Sequence, residues 1–260
     1  MAVTASEGPF GRALPWLVPL ALIILWQVSS SLGWLPPNIL PAPTSVLQAA
    51  WVKLQDGSLA DNLGVSFARA MSGLIIGGAI GFSLGLLNGL SKTGEMLLDP
   101  TLQMIRNIPH LALIPLVIIW FGIGESARLF LVALGVFFPI YLNTLHGVRN
   151  VDPQLIEMGR IYGMNNRTLF LKVILPGALP SIFVGLRFAL GVMWLTLIVA
   201  ETIAANSGIG HMAMAAREFM QTDIVVLSIV IYAILGKLAD SATRALERKF
   251  LAWNPAYAKV

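Results

Sequence analysis

Residues 149–180 set Arg149, Arg160, Arg167 and Lys172 against Asp152 and Glu157, in a polar stretch between two long apolar runs. Charges at that spacing do not make or break bonds. They form a hydrogen-bonding surface that can hold a soluble partner. A second group, Arg106, Asn107 and His110, combines a permanent cation with two hydrogen-bonding side chains and could line a path for an anion. Missing chemistry narrows the reading further. No G-x-x-x-x-G-K-[ST] loop is present, so the chain is not expected to hydrolyse ATP itself. There is no cysteine and no H-E-x-x-H, so no metal centre is expected.

The elements that must position these groups are membrane spans. The 260 residues are 57% hydrophobic and 12% charged, against about 25% charged in soluble domains. Lipid-facing helices account for the missing charge, and the fold class expected is an all-α polytopic membrane protein. A span needs about 20 apolar residues. Six candidates follow: Leu14–Ser31, Met71–Leu90, a third starting as early as Met96 and ending near Phe121, a fourth between Arg128 and Arg149, Ser181–Ile203, and Ile224–Thr243. The first has no signal-peptide cleavage pattern and reads as retained. In the fifth, only Phe188–Ala200 is free of charge, roughly 20 Å of helix against a core of about 30 Å. Arg187 or Glu201 is therefore expected within the bilayer thickness. They lie about 21 Å apart along one helix and do not pair with each other.

Six spans put both termini on one side. That side carries Arg12, Lys92, the four basic residues of 149–180, Arg244, Arg248, Lys249 and Lys259; the other carries Lys53, Arg69, Arg128 and Arg217. The positive-inside rule makes the richer side cytoplasmic. Trp16, Trp34, Trp51, Trp120 and Trp253 lie near span ends, as interfacial anchors. On the other side, a proline-broken loop leads to a short helix over Thr44–Gln55 with Thr44 as a possible cap, and 204–223 is a loop rich in small residues.

Within the second span, Gly73, Gly77, Gly81, Gly85 and Gly89 recur every fourth residue on one stripe where another backbone can approach. Packing inside one chain is the plain reading and a dimer seam the sharper one. In the polar loop, Asp152-Pro153 starts a helix. Leu155, Ile156, Gly159 and Tyr162 share a broad face of it, with Glu157 and Arg160 on another. Gly163 stops that helix. Asn165 or Asn166 then caps a second helix over Arg167–Leu175, and Pro176 and Pro180 punctuate the return to the membrane.

Glu157-Met158-Gly159, Gly163 after three more residues, and Val173-Ile174-Leu175-Pro176 after nine more resemble the E-A-A-x-x-x-G…I-x-L-P loop of ATP-binding-cassette importer permeases. Met158, Gly159 and Val173 depart from the pattern with apolar or small residues. More of the chain, from about Leu14 to Tyr257, resembles the aliphatic sulfonate branch, near relatives of taurine and nitrate permeases. The matching blocks include Arg106-Asn-Ile-Pro-His, Trp120-Phe-Gly-Ile-Gly-Glu-Ser-Ala, Phe138-Pro-Ile-Tyr, Trp194-Leu-Thr-Leu-Ile-Val-Ala-Glu-Thr, Asn206-Ser-Gly-Ile-Gly and Trp253-Asn-Pro-Ala-Tyr.

The resemblance implies a type I importer permease with a single transmembrane domain whose core is about 60–245. It makes 149–180 the coupling loop, with Glu157, Gly159, Tyr162, Gly163, Leu175 and Pro176 at the ATPase-docking element. The implied partners are a second copy of the chain, two ATP-binding subunits carrying ATP and magnesium, an extracytoplasmic substrate-binding protein and membrane lipid; nucleic acid is not among them. Arg106, Asn107 and His110 are the candidate path residues. Taurine, nitrate or another small anion is the alternative substrate. An ion-coupled secondary transporter or an intramembrane enzyme is the alternative class; neither calls for the spaced Glu157–Pro176 set.

Overall fold

The computed structural model describes residues 9–254, and within them every regular element is helical. Expectations at Lys259, Tyr257 and the side chains of Arg12 and Trp16 lie outside the described residues. The helices are α1 (Pro9–Ser31), α2 (Pro43–Gln55), α3 (Ser58–Leu90), α4 (Lys92–Arg106), α5 (Ile114–Phe121), α6 (Glu125–Arg149), α7 (Pro153–Ile161), α8 (Asn166–Leu169), α9 (Leu175–Ala204), α10 (Ile209–Glu218) and α11 (Thr222–Phe250). A 3-10 turn over His110–Leu113 precedes α5, and a π turn over Phe170–Ile174 joins α8 to α9.

Among the described residues two compact units emerge: 9–61 with 212–230, and 62–211 with 231–254. In the first, α1 exposes Leu17, Leu20 and Ile24, as a helix facing lipid does. Its apolar stretch Leu17–Ser31 is shorter than the full spans. α2 begins one residue earlier than expected: Ala42 is its N-cap with no side-chain bond, and Pro43 opens the helix. Thr44 is therefore already helical, and its N–H is taken by the Gln27 side chain at 3.3 Å.

In the second unit, α6 packs along α9, and the glycine stripe of α3 lies on α6. A Cβ at Gly81 would stand 2.6 Å from the Phe137 carbonyl oxygen, and one at Gly85 would stand 2.7 Å from that of Tyr141; at Gly77 it would overlap the Ala133 carbonyl. Gly73 and Gly89 meet Val132 and Val148 in the same way.

Of the six expected spans, four are single helices long and apolar enough to cross a membrane: Ser58–Leu90, Glu125–Arg149, Asn166–Ile203 and Thr222–Phe250. Each begins before its expected start, and α11 also runs past its expected end. Bounds drawn at Arg69 and Arg128 fall short of the helix starts: both arginines are buried and paired with carboxylates, and neither ends a helix. The third expected span is a broken pair, Lys92–Arg106 and His110–Phe121, bent by 82°. The break falls at 107–109, where Pro109 lacks an N–H and its ring disfavours helix in the residue before it.

The expected stop at Leu175-Pro176 is not there. The π turn lets the helix continue from α8 into α9 past both Pro176 and Pro180. A proline clashes with the carbonyl four residues before it; the wider π turn shifts the carbonyls ahead of Pro176.

Candidate functional site

α7 is built as the local sequence requires. The Asp152 carboxylate accepts the Gln154 N–H at 2.9 Å and Pro153 follows at the first helical position. At the other end Gly163 adopts φ +76°, and the Gly163 and Met164 N–H groups bond the Arg160 and Gly159 carbonyls at 2.9 and 3.0 Å. That double closure is the Schellman ending, and it needs a residue at ease with positive φ. The Asn165 side chain accepts the Thr168 N–H at 2.8 Å and starts α8.

The faces of α7 differ from those expected. Ile156 and Gly159 point inward: Ile156 packs on the Val148, Val151 and Ala178 cluster, and a Cβ at Gly159 would stand 2.6 Å from Leu169 Cδ1. Leu155 and Tyr162 point outward, where Met158 and Ile161 join them; Ile161 is 79% exposed and Tyr162 is 76% exposed. Periodicity explains the split. Positions 156 and 159 lie one turn apart on one side, while 155, 158 and 162 follow the neighbouring stripe. Glu157 and Arg160 are exposed beside that apolar stripe. Leu175 and Pro176 are half-buried. Pro176 lines a groove of about 550 Å³ with Leu155, Met158, Lys172, Val173 and Trp253.

Arg149 is not one of the free cations of this loop. It pairs with Glu95 of α4 and donates to the Asn88 carbonyl. Next to it, the Tyr141 hydroxyl donates to Asp99 at 2.6 Å and accepts from the Asn88 amide at 2.8 Å. Together these bonds hold α4 to the ends of α3 and α6.

Arg106 and His110 line a common cavity of about 370 Å³ between the α4–α5 break, α6 and α9. His110 Nε2 lies 2.9 Å from the buried Thr196 hydroxyl. The Asn107 side chain instead turns back to the Gln103 carbonyl at 3.0 Å and is not among the cavity residues.

Glu201 is fully buried. It accepts from Arg69 Nη1 at 2.9 Å, the Ser66 hydroxyl at 2.8 Å, the Gly210 N–H at 2.9 Å and the Tyr232 hydroxyl at 3.0 Å. Arg69 also grips Glu125 through Nε and Nη2 at 2.5 and 2.9 Å, and reaches the Ser207 carbonyl at 2.6 Å. The Gly208 N–H donates to Asn62 and the Ile209 N–H to Ser66. Gly208, at φ +113° and against the Glu201 carboxylate, tolerates no side chain. The 207–210 turn is thus seated on a buried carboxylate. The sequence marked Glu201 as a charge that could lie within the bilayer thickness. It did not mark Ser66 or Tyr232, because neither hydroxyl stands out in an apolar run. Arg187 finds Glu247 and Asp240 of α11.

Residues 73–252 match the family described as binding-protein-dependent transport system inner membrane component. The chain belongs to this family. As one of these inner membrane components it is a multi-pass membrane transport permease. It is 61% identical over 246 residues to SsuC of Escherichia coli K12, with 95% of this chain and 94% of that protein covered; SsuC is named as an aliphatic sulfonates transport permease protein. A protein of the same name from Bacillus subtilis 168 is 44% identical, covering 93% and 87%. TauC of Escherichia coli K12, a taurine transport system permease protein, is 36% identical, covering 98% of both. A crystal structure of an amino acid ABC transporter shares the fold, with TM-score 0.63 at 18% identity over 77% of this chain and 97% of that one. The type I importer fold expected from the coupling-loop pattern is the fold found.

Proposed function

We propose that this chain is the membrane-spanning subunit of an ATP-driven importer and forms the path by which aliphatic sulfonates enter the cell. The observation that carries the substrate reading is the 61% identity, across nearly the whole of both chains, to a permease named for aliphatic sulfonates. The more distant taurine permease makes taurine, itself a sulfonate, the second reading.

Two copies form the path, two ATP-binding subunits dock on α7, and a binding protein delivers substrate from outside. ATP and magnesium belong to the docked subunits. The exposed stripe Leu155, Met158, Ile161 and Tyr162, edged by Glu157 and Arg160, supports docking, since an apolar patch on a polar loop is a surface awaiting a partner. The unbroken helix from Asn166 to Ile203 supports a lever: a push on α7 and α8 travels along one rigid rod into the bundle. ATP binding closes the docked pair, moves the rods and reorients the spans. Arg106 attracts the sulfonate, with His110 beside it in the same cavity. Both termini are cytoplasmic, on the side richer in Lys and Arg.

The test is reconstitution with the ATP-binding and binding-protein partners in liposomes. ATP-dependent uptake of an alkanesulfonate, well above that of nitrate, is expected. Uptake of nitrate alone, or sulfonate uptake that proceeds without ATP, overturns the reading.

A further inference from the structure

The cavity beside Arg106 has an uneven lining. Arg106 is its sole permanent charge, and His110 is held by the Thr196 hydroxyl at 2.9 Å. Most of the remaining wall is apolar: Phe138 and Leu142 from α6, Phe188 and Val192 from α9. These residues follow each other at one-turn spacing on each helix, so the apolar wall continues for about 6 Å along each rod. Phe188 lines this cavity and is 66% exposed. Among the described residues Arg106 has no ion-pair partner; the same is true of Arg160, Arg167, Arg217 and Arg248, and of these arginines Arg106 alone lines the cavity. An unpaired guanidinium facing an apolar wall matches a ligand that is an anion at one end and hydrocarbon at the other.

We infer that this cavity is a subsite for amphiphilic organic sulfonates, and that the permease itself discriminates among them by the length of their apolar part. The inference rests on the sulfonate reading above and extends it. Small inorganic anions gain the Arg106 contact alone. Each methylene laid against the wall adds up to roughly a fourfold preference when fully buried. Selection then has two stages, one in the delivering protein and one in the membrane, and the second is set by Phe138, Leu142, Phe188 and Val192.

The test uses the reconstituted complex with one and the same binding protein throughout, so that the binding protein's own preference cancels. Uptake of hexanesulfonate and of methanesulfonate is measured in competition, and the ratio of the two is compared between wild type and variants. Phe188→Ala and Val192→Ala remove wall without touching the cation, and each is expected to lower the long-to-short ratio at least fivefold. Arg106→Lys, which keeps the charge, is expected to hold the ratio within twofold of wild type. A ratio unchanged in both wall variants overturns the inference while leaving the sulfonate reading intact. A wild-type complex that carries neither sulfonate overturns the reading and the inference together. Should one wall variant fail to assemble, the other and Leu142→Ala supply the same ratio.

Discussion

Glu201 and Arg69 form an ion pair at 2.9 Å, with the Glu201 side chain wholly buried and the Arg69 side chain nearly so. The carboxylate has four donors in all, which is what keeps a buried charge tolerable. Glu201→Ala leaves Arg69 half-compensated and the Gly210 N–H without its acceptor. It is expected to destabilise the protein by about 3–5 kcal/mol. Glu201→Gln, which keeps the shape and one acceptor oxygen, is expected to lose less. Thermal unfolding in detergent checks the order; equal stability of the alanine variant and wild type would remove the network from any structural role.

The glycine stripe yields a graded prediction. Gly81→Leu is expected to abolish the α3–α6 contact and with it stable insertion, because even a methyl group would press on the Phe137 carbonyl. Gly81→Ala should cost about 1–3 kcal/mol through overpacking. Gly64→Ala, on the same helix with nothing within 4 Å, should be neutral or slightly stabilising. Expression level and melting temperature of the three variants decide it.

Docking on α7 predicts that Glu157→Lys loses the ATP-binding subunit on co-purification. Ile161→Asp should do the same while the permease itself stays folded, since Ile161 contributes little to the core. Retention of the partner by both variants would locate the docking surface elsewhere.

Gly163 sits at φ +76°, a conformation that costs a residue with a Cβ roughly 1–2 kcal/mol. Gly163→Val is therefore expected to unwind the end of α7 and weaken partner binding, with Gly163→Asn nearer to wild type. Titration of the purified ATP-binding subunit onto each variant gives the order.

Arg106→Ala is expected to reduce sulfonate uptake at least tenfold with normal assembly, and Arg106→Lys to recover part of it. Wild-type uptake in the alanine variant would place Arg106 outside the path.

Much of this molecule is written locally. Long charge-poor runs make membrane helices wherever they fold, because every backbone group must bond within its own segment in lipid. Asp152-Pro153, Gly163 and Asn165 set the ends of α7 and the start of α8 through bonds to their near neighbours, so those ends can be read from the chain alone. The coupling pattern from Glu157 to Pro176 is likewise a matter of spacing.

Tertiary structure decided what depends on distant residues. The start of α3 moved because Arg69 meets Glu201 and Glu125 across the bundle; a charge ends a span only if nothing neutralises it. Pro176 and Pro180 look like helix breakers in sequence, yet a π turn carries the helix past them. Which side of α7 faces out, and that Arg106 shares a cavity with Phe188, follow from how whole helices pack. Local bonding is encoded by neighbours in the chain, whereas burial and charge pairing belong to residues that only the fold brings together.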